Sequence, residues 1–147
     1  MGSGKNFYFG AKKLSGVLMY EEVIEFSTEV DELVDITERV EEVVERSGIK
    51  NGLCLVFNLG STGAILINEW EEGLLEDFKE MLAKLTSGRH RHPSNAHSHL
   101  KAGIIGPGKV IGVRNGKLEL GTWQSIIFCE FDVRPRNRRV LVKVIGD

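Results

Sequence analysis

Apolar side chains recur at three- and four-residue spacing through residues 32–47, at Leu33, Ile36, Val40, Val43 and Val44, and Gly48 follows. That period predicts an amphipathic helix with a glycine stop. Leu74, Leu75, Phe78, Leu82 and Leu85 repeat it and predict a second helix over residues 74–85. Residues 53–59 form a nearly unbroken apolar run, as in a strand covered on both faces, and residues 64–67 predict a short strand after the break at Gly60. Partial alternation over residues 17–27 predicts a strand ahead of the first helix. Residues 86–95 lack periodicity, carry Gly88 and Pro93, and read as a loop. Beyond Ser98 the pattern turns to strands over residues 99–105, 109–113, 117–120, 125–131 and 139–145. Asn115-Gly116 between two of these signals a two-residue hairpin, because both turn positions need positive φ. About two main helices and a strand-rich second half predict an α+β fold built as a mostly antiparallel β-sheet sandwich.

The length of 147 residues is one domain's worth, so residues 1–147 are read as a single domain without repeats. Residues 1–16 are read as flexible or in part an appended leader, with no function. A net charge of −2 gives no general reason to expect nucleic acid or an anionic membrane as partner. No apolar stretch reaches the roughly 18 residues of a bilayer span. The first ten residues hold no continuous apolar segment of a secretory signal, so the expected location is cytoplasmic. Cys54 and Cys129 lie far apart in apolar segments, as buried free thiols do. Arg134, Arg136, Arg138 and Arg139 cluster near the end and leave room for a local anion site.

All four histidines, His90, His92, His97 and His99, fall within ten residues. On a strand, His97 and His99 would project from one face. A third imidazole from the preceding loop would then complete a three-histidine site with an open position, the usual arrangement of catalytic zinc. The competing reading is an exposed loop whose imidazoles bind nothing. Glu69 is a candidate general acid or base beside such a metal. Alternatively, it belongs to a helix start that Asn68 caps. Gly60-Ser61-Thr62-Gly63 offers hydroxyls and backbone N–H groups to an anion, or is a plain turn. Trp123 and Gln124 place an indole and an amide near a strand start, although such an indole more often serves core or interface. Arg136 and Arg138 share a strand face and suit phosphate or carboxylate, while solvated strand-end arginines are the plainer reading.

Taken in order, VDITERVEEVVERSGIKNGLCLVF, GSTGAILINE, NAHSHLKAGIIGPG, VRNGKLELGTWQSIIFCEFD and RPRNRRVLVKVIGD resemble the YjbQ-like family, also called the secondary thiamine-phosphate synthase family. The resemblance covers the chain from about Val23 to its C-terminus. It implies a compact α+β unit with antiparallel sheets, assembly into homotrimers and, as in some members, a weak thiamine-phosphate synthase activity. Position by position it implies a site of Glu69, a histidine of the 89–92 loop, His99, Lys101, Trp123, Gln124 and Arg136. One departure stands out: many members carry His-Thr-Thr where this chain reads Gly60-Ser61-Thr62. Members with the Gly-Ser-Thr version resemble this chain in having an additional histidine at the place of His97, which implies that His97 replaces the lost imidazole. Both His90 and His92 stay open as the third ligand.

The expectation is therefore a homotrimeric, metal-dependent enzyme, most simply a zinc enzyme, acting on a small phosphorylated or otherwise anionic molecule. His97, His99 and His92 or His90 hold the ion, and Glu69 moves protons. Ser61, Thr62, Trp123 and Gln124 contact substrate, and Lys101 and Arg136 neutralise its charge. The alternatives are a non-catalytic trimeric module that binds metal or a small anion, and a histidine cluster that is merely loop surface.

Overall fold

The computed structural model describes residues 5–14, as backbone, and 16–147. In chain order the elements are β1 (Lys5–Leu14), β2 (Val17–Thr28), β3 (Leu33–Asp35), α1 (Thr37–Ser47), β4 (Gly52–Asn58), β5 (Gly63–Asn68), α2 (Glu72–Leu85), α3 (Ala96–Ile105), β6 (Gly108–Arg114), β7 (Lys117–Leu118), β8 (Ser125–Glu130) and β9 (Arg136–Gly146). They form two antiparallel sheets, a six-stranded one ordered β1-β2-β9-β4-β6-β7 and a three-stranded one ordered β3-β8-β5. The α+β expectation holds, with three helices rather than two. Of residues 1–16, expected to be flexible or in part appended, residues 5–14 pair with β2, and residues 1–4 and 15 lie outside the described residues. No helix among the described residues is long and apolar enough to cross a membrane.

The small sheet is the middle layer, and β8 is its central strand. Ile126 and Phe128 of β8 face the large sheet, where Phe26, Val56, Val140 and Val142 join the same core. Phe128 meets Phe26 edge to face at 5.2 Å between ring centroids. Ile127 and Cys129 face the other way, against Leu75 and Leu82 of α2 and Ala102 of α3. A strand covered on both faces has no reason to alternate apolar with polar, which is why SIIFCE reads as a nearly continuous apolar run. Burial pushes both thiols, Cys54 and Cys129, up to about 12, so each stays protonated and inert.

Two segments differ from the sequence expectation. Residues 33–35 form β3 instead of the first helical turn, pairing with residues 127–129 of β8. The spacing of Leu33 and Ile36 suits either state, and the free edge of β8 decides for strand. Helix α1 then starts at Thr37, whose N–H and hydroxyl both donate to Asp35 Oδ1, at 3.0 and 2.6 Å. Residues 99–105, expected as a strand, belong to helix α3. Its buried side chains are the small Ala96, Ser98 and Ala102, which let the helix backbone lie close to β5. At its end Gly106 turns the chain with φ of 95°, and the Lys109 ammonium donates to the carbonyls of Ile105 and Ile65 at 2.8 Å each. The hairpin signal was sound: Asn115 and Gly116 take φ of 54° and 76° between β6 and β7.

Phe128 is fully buried where both sheets meet. Phe128→Ala should cost about 3–5 kcal/mol through lost burial and the cavity left behind. Urea denaturation should show the midpoint falling with little change in slope. A loss below about 1 kcal/mol would mean that the two sheets collapse onto each other without it.

Candidate functional site

Six residue pairs join β5 to β8, from Gly63↔Glu130 at one end to Asn68↔Ser125 at the other. At about 3.4 Å per step the ends of this ladder lie about 17 Å apart. The ladder divides the expected site residues into two groups. At the Gly63 end, the 60–62 turn, the segment joining β8 to β9 and the start of α3 enclose a cleft of ≈450 Å³. Ser61, Thr62, Asn95, His99, Arg134 and Arg136 are among the residues that line it. At the Asn68 end, Glu69 follows β5, and Trp123 and Gln124 precede β8.

The floor of the cleft is a buried charge network. Arg138 and Glu130 are 3% and 1% exposed. The Arg138 Nε donates to Glu130 Oε1 at 2.7 Å, and its Nη2 donates both to Glu130 Oε2 and to Thr62 Oγ1, the latter at 2.9 Å. Thr28 on β2 donates its hydroxyl to Glu130 Oε1 at 2.6 Å, so the pair ties the two sheets together. Thr62 in turn donates to Asp132 Oδ2 at 3.1 Å, and Arg136 pairs with the same carboxylate. Burial pushes the Asp132 carboxyl up, but the N–H of Val133, the Arg136 guanidinium and the Thr62 hydroxyl outweigh it and hold the group below its usual range. Thr62 is thus fixed by ionic neighbours on both sides, and its neighbour Ser61 is left exposed at the cleft. Arg134, at the rim, has no ion pair among the described residues. The sequence reading placed Arg138 among solvated strand-end arginines. That is corrected here, because Glu130 supplies a buried counter-charge and Arg138 lies on the inward face of β9.

The histidines are separated by the helix. On α3, His97 and His99 project about 200° apart rather than together, since each residue turns the helix by about 100°. His99 faces the cleft and stacks edge to face on His92 at 4.8 Å between centroids. His97 shares the other side of α3 with Lys101, four residues on, and Lys101 lines a separate hollow beside Lys79 and Phe131. The His90 Nε2 is hydrogen-bonded to the Thr86 carbonyl at 2.8 Å. Among the described residues no three His, Cys, Asp or Glu side chains form a group that would hold a metal ion. One chain therefore offers two imidazoles, His92 and His99, and falls short of the three protein ligands of a catalytic zinc site.

At the far end, Asn68 does not cap α2; its Oδ1 accepts from the N–H of Glu69 at 2.8 Å. The cap is Glu71, whose carboxylate accepts from Gly73 and Leu74 at 2.7 and 2.9 Å. Glu69 itself is half-buried and outside the helix. Gln124 folds back on its own turn, accepting from the Gly121 N–H at 2.8 Å, and Trp123 is 73% exposed.

A model of the YjbQ-like UPF0047 protein family matches residues 22–147. The chain belongs to the YjbQ-like family. UPF0047 proteins of Archaeoglobus fulgidus and Methanothermobacter thermautotrophicus are 49% and 48% identical to it over 119 and 120 residues, covering 78% of this chain and 91% and 83% of theirs. A YbjQ-like protein of unknown function from Sulfolobus solfataricus superposes with a TM-score of 0.79 at 40% identity, covering 88% of this chain and 99% of its own. A hypothetical protein from Aeropyrum pernix does so with a TM-score of 0.77 at 38% identity, covering 85% and 98%. In this YjbQ-like chain a Cβ on Gly60 would stand 3.0 Å from Arg138 Nη1, so a larger residue there requires the guanidinium to move. Three participants escaped the sequence reading: Arg138 as a buried group, Asp132, and Asn95 at the start of α3. The signal was present in the alternate spacing of Glu130 with Asp132 and of Arg136 with Arg138, which puts the two arginines on one face of β9 and two carboxylates shortly before it in the chain.

Because the folded Asp132 carboxyl titrates below its unfolded value of about 3.9, its stabilisation is complete above that pH and is lost as pH falls through the folded value. Asp132→Asn should therefore be less stable at neutral pH yet decline less steeply below about pH 4. Urea melts at several pH values would show this, whereas parallel curves for both proteins would remove Asp132 from the network.

Proposed function

We propose that this YjbQ-like protein is an enzyme acting on a small phosphorylated molecule held in the cleft between Ser61 and Arg136. The observation that carries the reading is the convergence of groups suited to an oxyanion. Ser61 offers a hydroxyl, Arg134 and Arg136 offer guanidinium groups, and all three line one cleft with His99. The start of α3 adds the positive end of a helix whose first turn holds no acidic residue. Arg136 is paired with Asp132, while Arg134 has no ion pair among the described residues and can turn to the ligand. His99, which lines the cleft beside His92, is the candidate for proton transfer. The resemblance in the sequence makes thiamine precursors, a pyrimidine diphosphate and a thiazole phosphate, the first substrates to test.

A divalent ion, zinc first, belongs to the same reading as a cofactor to be tested. His92 and His99 are the two ligands this chain would supply, and no chemical step is assigned to the ion. A second reading, a binding module without turnover, draws on one specific observation: Glu69, the carboxylate expected to move protons, lies at the opposite end of the β5–β8 ladder from the cleft.

Calorimetry with inorganic pyrophosphate tests the cleft. Arg136→Gln should weaken binding about tenfold or more, as expected for loss of a charge-assisted hydrogen bond worth about 1.5–3 kcal/mol. Ser61→Ala should weaken it less. Failure of the unaltered protein to bind pyrophosphate would remove the reading, and binding without turnover of any phosphorylated precursor would favour the module. Zinc uptake, followed by elemental analysis, should vanish in His99→Ala and persist in His97→Ala. The reverse result would restore His97 as a ligand.

A further inference from the structure

The guanidinium of Arg138 has more donors than the fold uses. Its Nε and Nη2 serve Glu130 and Thr62, whereas Nη1 has no hydrogen-bond partner among the described residues. Nor is Nη1 sealed in the core. Among the described residues, the fully buried side-chain nitrogen and oxygen atoms without a partner are Asn58 Oδ1 and Ser98 Oγ, so Nη1 keeps accessible surface. Arg138 lines the anion cleft, and that surface faces it. The Phe128 ring lies against the guanidinium, with its centroid 5.5 Å from the central carbon. Held along one edge by Glu130 and on one face by this ring, the group presents its spare edge in a fixed direction. A ligand that meets it freezes little further rotamer freedom.

Gly60 lies at that spare edge. A Cβ there would stand 3.0 Å from Nη1, and Gly60 lines the same cleft. Its φ lies outside the left-handed region, so the backbone does not call for glycine at this position. What the missing side chain provides is an open approach to Nη1. Donors of a buried cation left without an acceptor carry the full desolvation cost of the group, which an anionic ligand would remove.

We propose that Arg138 is the innermost anion-binding group of the cleft, and that Gly60 is the opening through which an oxygen of a terminal phosphoryl group reaches Nη1. The inference rests on the anion cleft of the proposed function, and adds which residue binds deepest and which phosphates fit. Three donors converge on the anion: Arg138 from the floor, Ser61 from the turn and Arg134 from the rim. A terminal phosphoryl group has three unsubstituted oxygens and can give one to each. A phosphodiester has two and leaves one donor unmatched, so the site selects monoesters and terminal phosphates over diesters. Because Glu130 neutralises Arg138, the long-range attraction comes from Arg134, and Arg138 contributes aimed N–H groups.

Calorimetry with pyrophosphate, methyl phosphate and dimethyl phosphate tests it, alongside urea denaturation. The unaltered protein should bind methyl phosphate about tenfold or more tightly than dimethyl phosphate. Gly60→Leu should weaken pyrophosphate binding about tenfold or more with the urea midpoint unchanged. In an Arg138→Lys background the same change should weaken binding little further, because both substitutions remove one contact. Should Arg138→Lys fail to fold, side-chain NMR with isotope-labelled arginine decides. Arg138 is the buried arginine of the described residues, so slow exchange sets its guanidinium signals apart, and they should move when pyrophosphate is added. Pyrophosphate binding unchanged in Gly60→Leu would overturn the inference and leave the functional reading standing. So would losses that add fully in the double variant, a diester bound as tightly as the monoester, or Arg138 signals unmoved at saturation. If the unaltered protein binds no pyrophosphate, the functional reading and the inference fall together.

Discussion

The antiparallel pairing of β5 with β8 constrains nearly everything else in this molecule. Strand β8 is buried on both faces, with Phe128 committed to the large sheet and Cys129 to the helices. A slip by one residue would exchange those faces and drive the Glu130 carboxylate into the apolar layer under α2 and α3, so the register is strongly fixed. With the register fixed, the chain leaves the ladder at defined points. The 60–62 turn and the 131–138 segment emerge at one end, and Glu69 and the 121–124 turn at the other.

At the cleft end the register is reinforced by ionic contacts. Glu130 falls on the face of β8 that looks at the large sheet, where Arg138 of β9 and Thr28 of β2 receive it. Burying this pair costs several kcal/mol of desolvation per ion, which offsets most of the attraction between the two charges. Removing one partner is a different matter and leaves an uncompensated charge costing about 3–5 kcal/mol. The pair therefore acts chiefly to specify which groups meet: it holds Thr62, and through Thr62 the exposed Ser61, in one position. Surface pairs such as Arg114 with Glu119, both largely exposed, are worth at most about 1 kcal/mol and specify little.

The strands and the two longer helices were legible because their side-chain periods are local. Val40, Val43 and Val44 announce α1, and the apolar run at residues 53–59 announces β4, whatever they pack against. Two segments were not legible. Leu33 and Ile36 fit a helix as well as an extended chain, and the edge of β8 chose. His99, Ala102 and Ile105 sit among residues that a strand tolerates equally, and close packing of Ser98 and Ala102 on β5 chose helix. The second misreading matters for chemistry, because it turned His97 away from His99.

The sequence by itself determined the family, the α+β class, most of the antiparallel strands and some of the polar residues near the cleft, Ser61, His99 and Arg136 among them. Those follow from ordered motifs and from periods of two and about 3.6 residues, which need no knowledge of distant segments. Tertiary structure alone decided which of those residues share a site. Ser61, His99 and Arg136 meet because three segments converge at one end of a ladder, while Glu69 and Trp123 are held about 17 Å away by the same ladder. It also decided that Arg138 is a buried structural ion and Arg134 an available one. Spacing along a chain records neither burial nor the position of a counter-charge brought in from another strand.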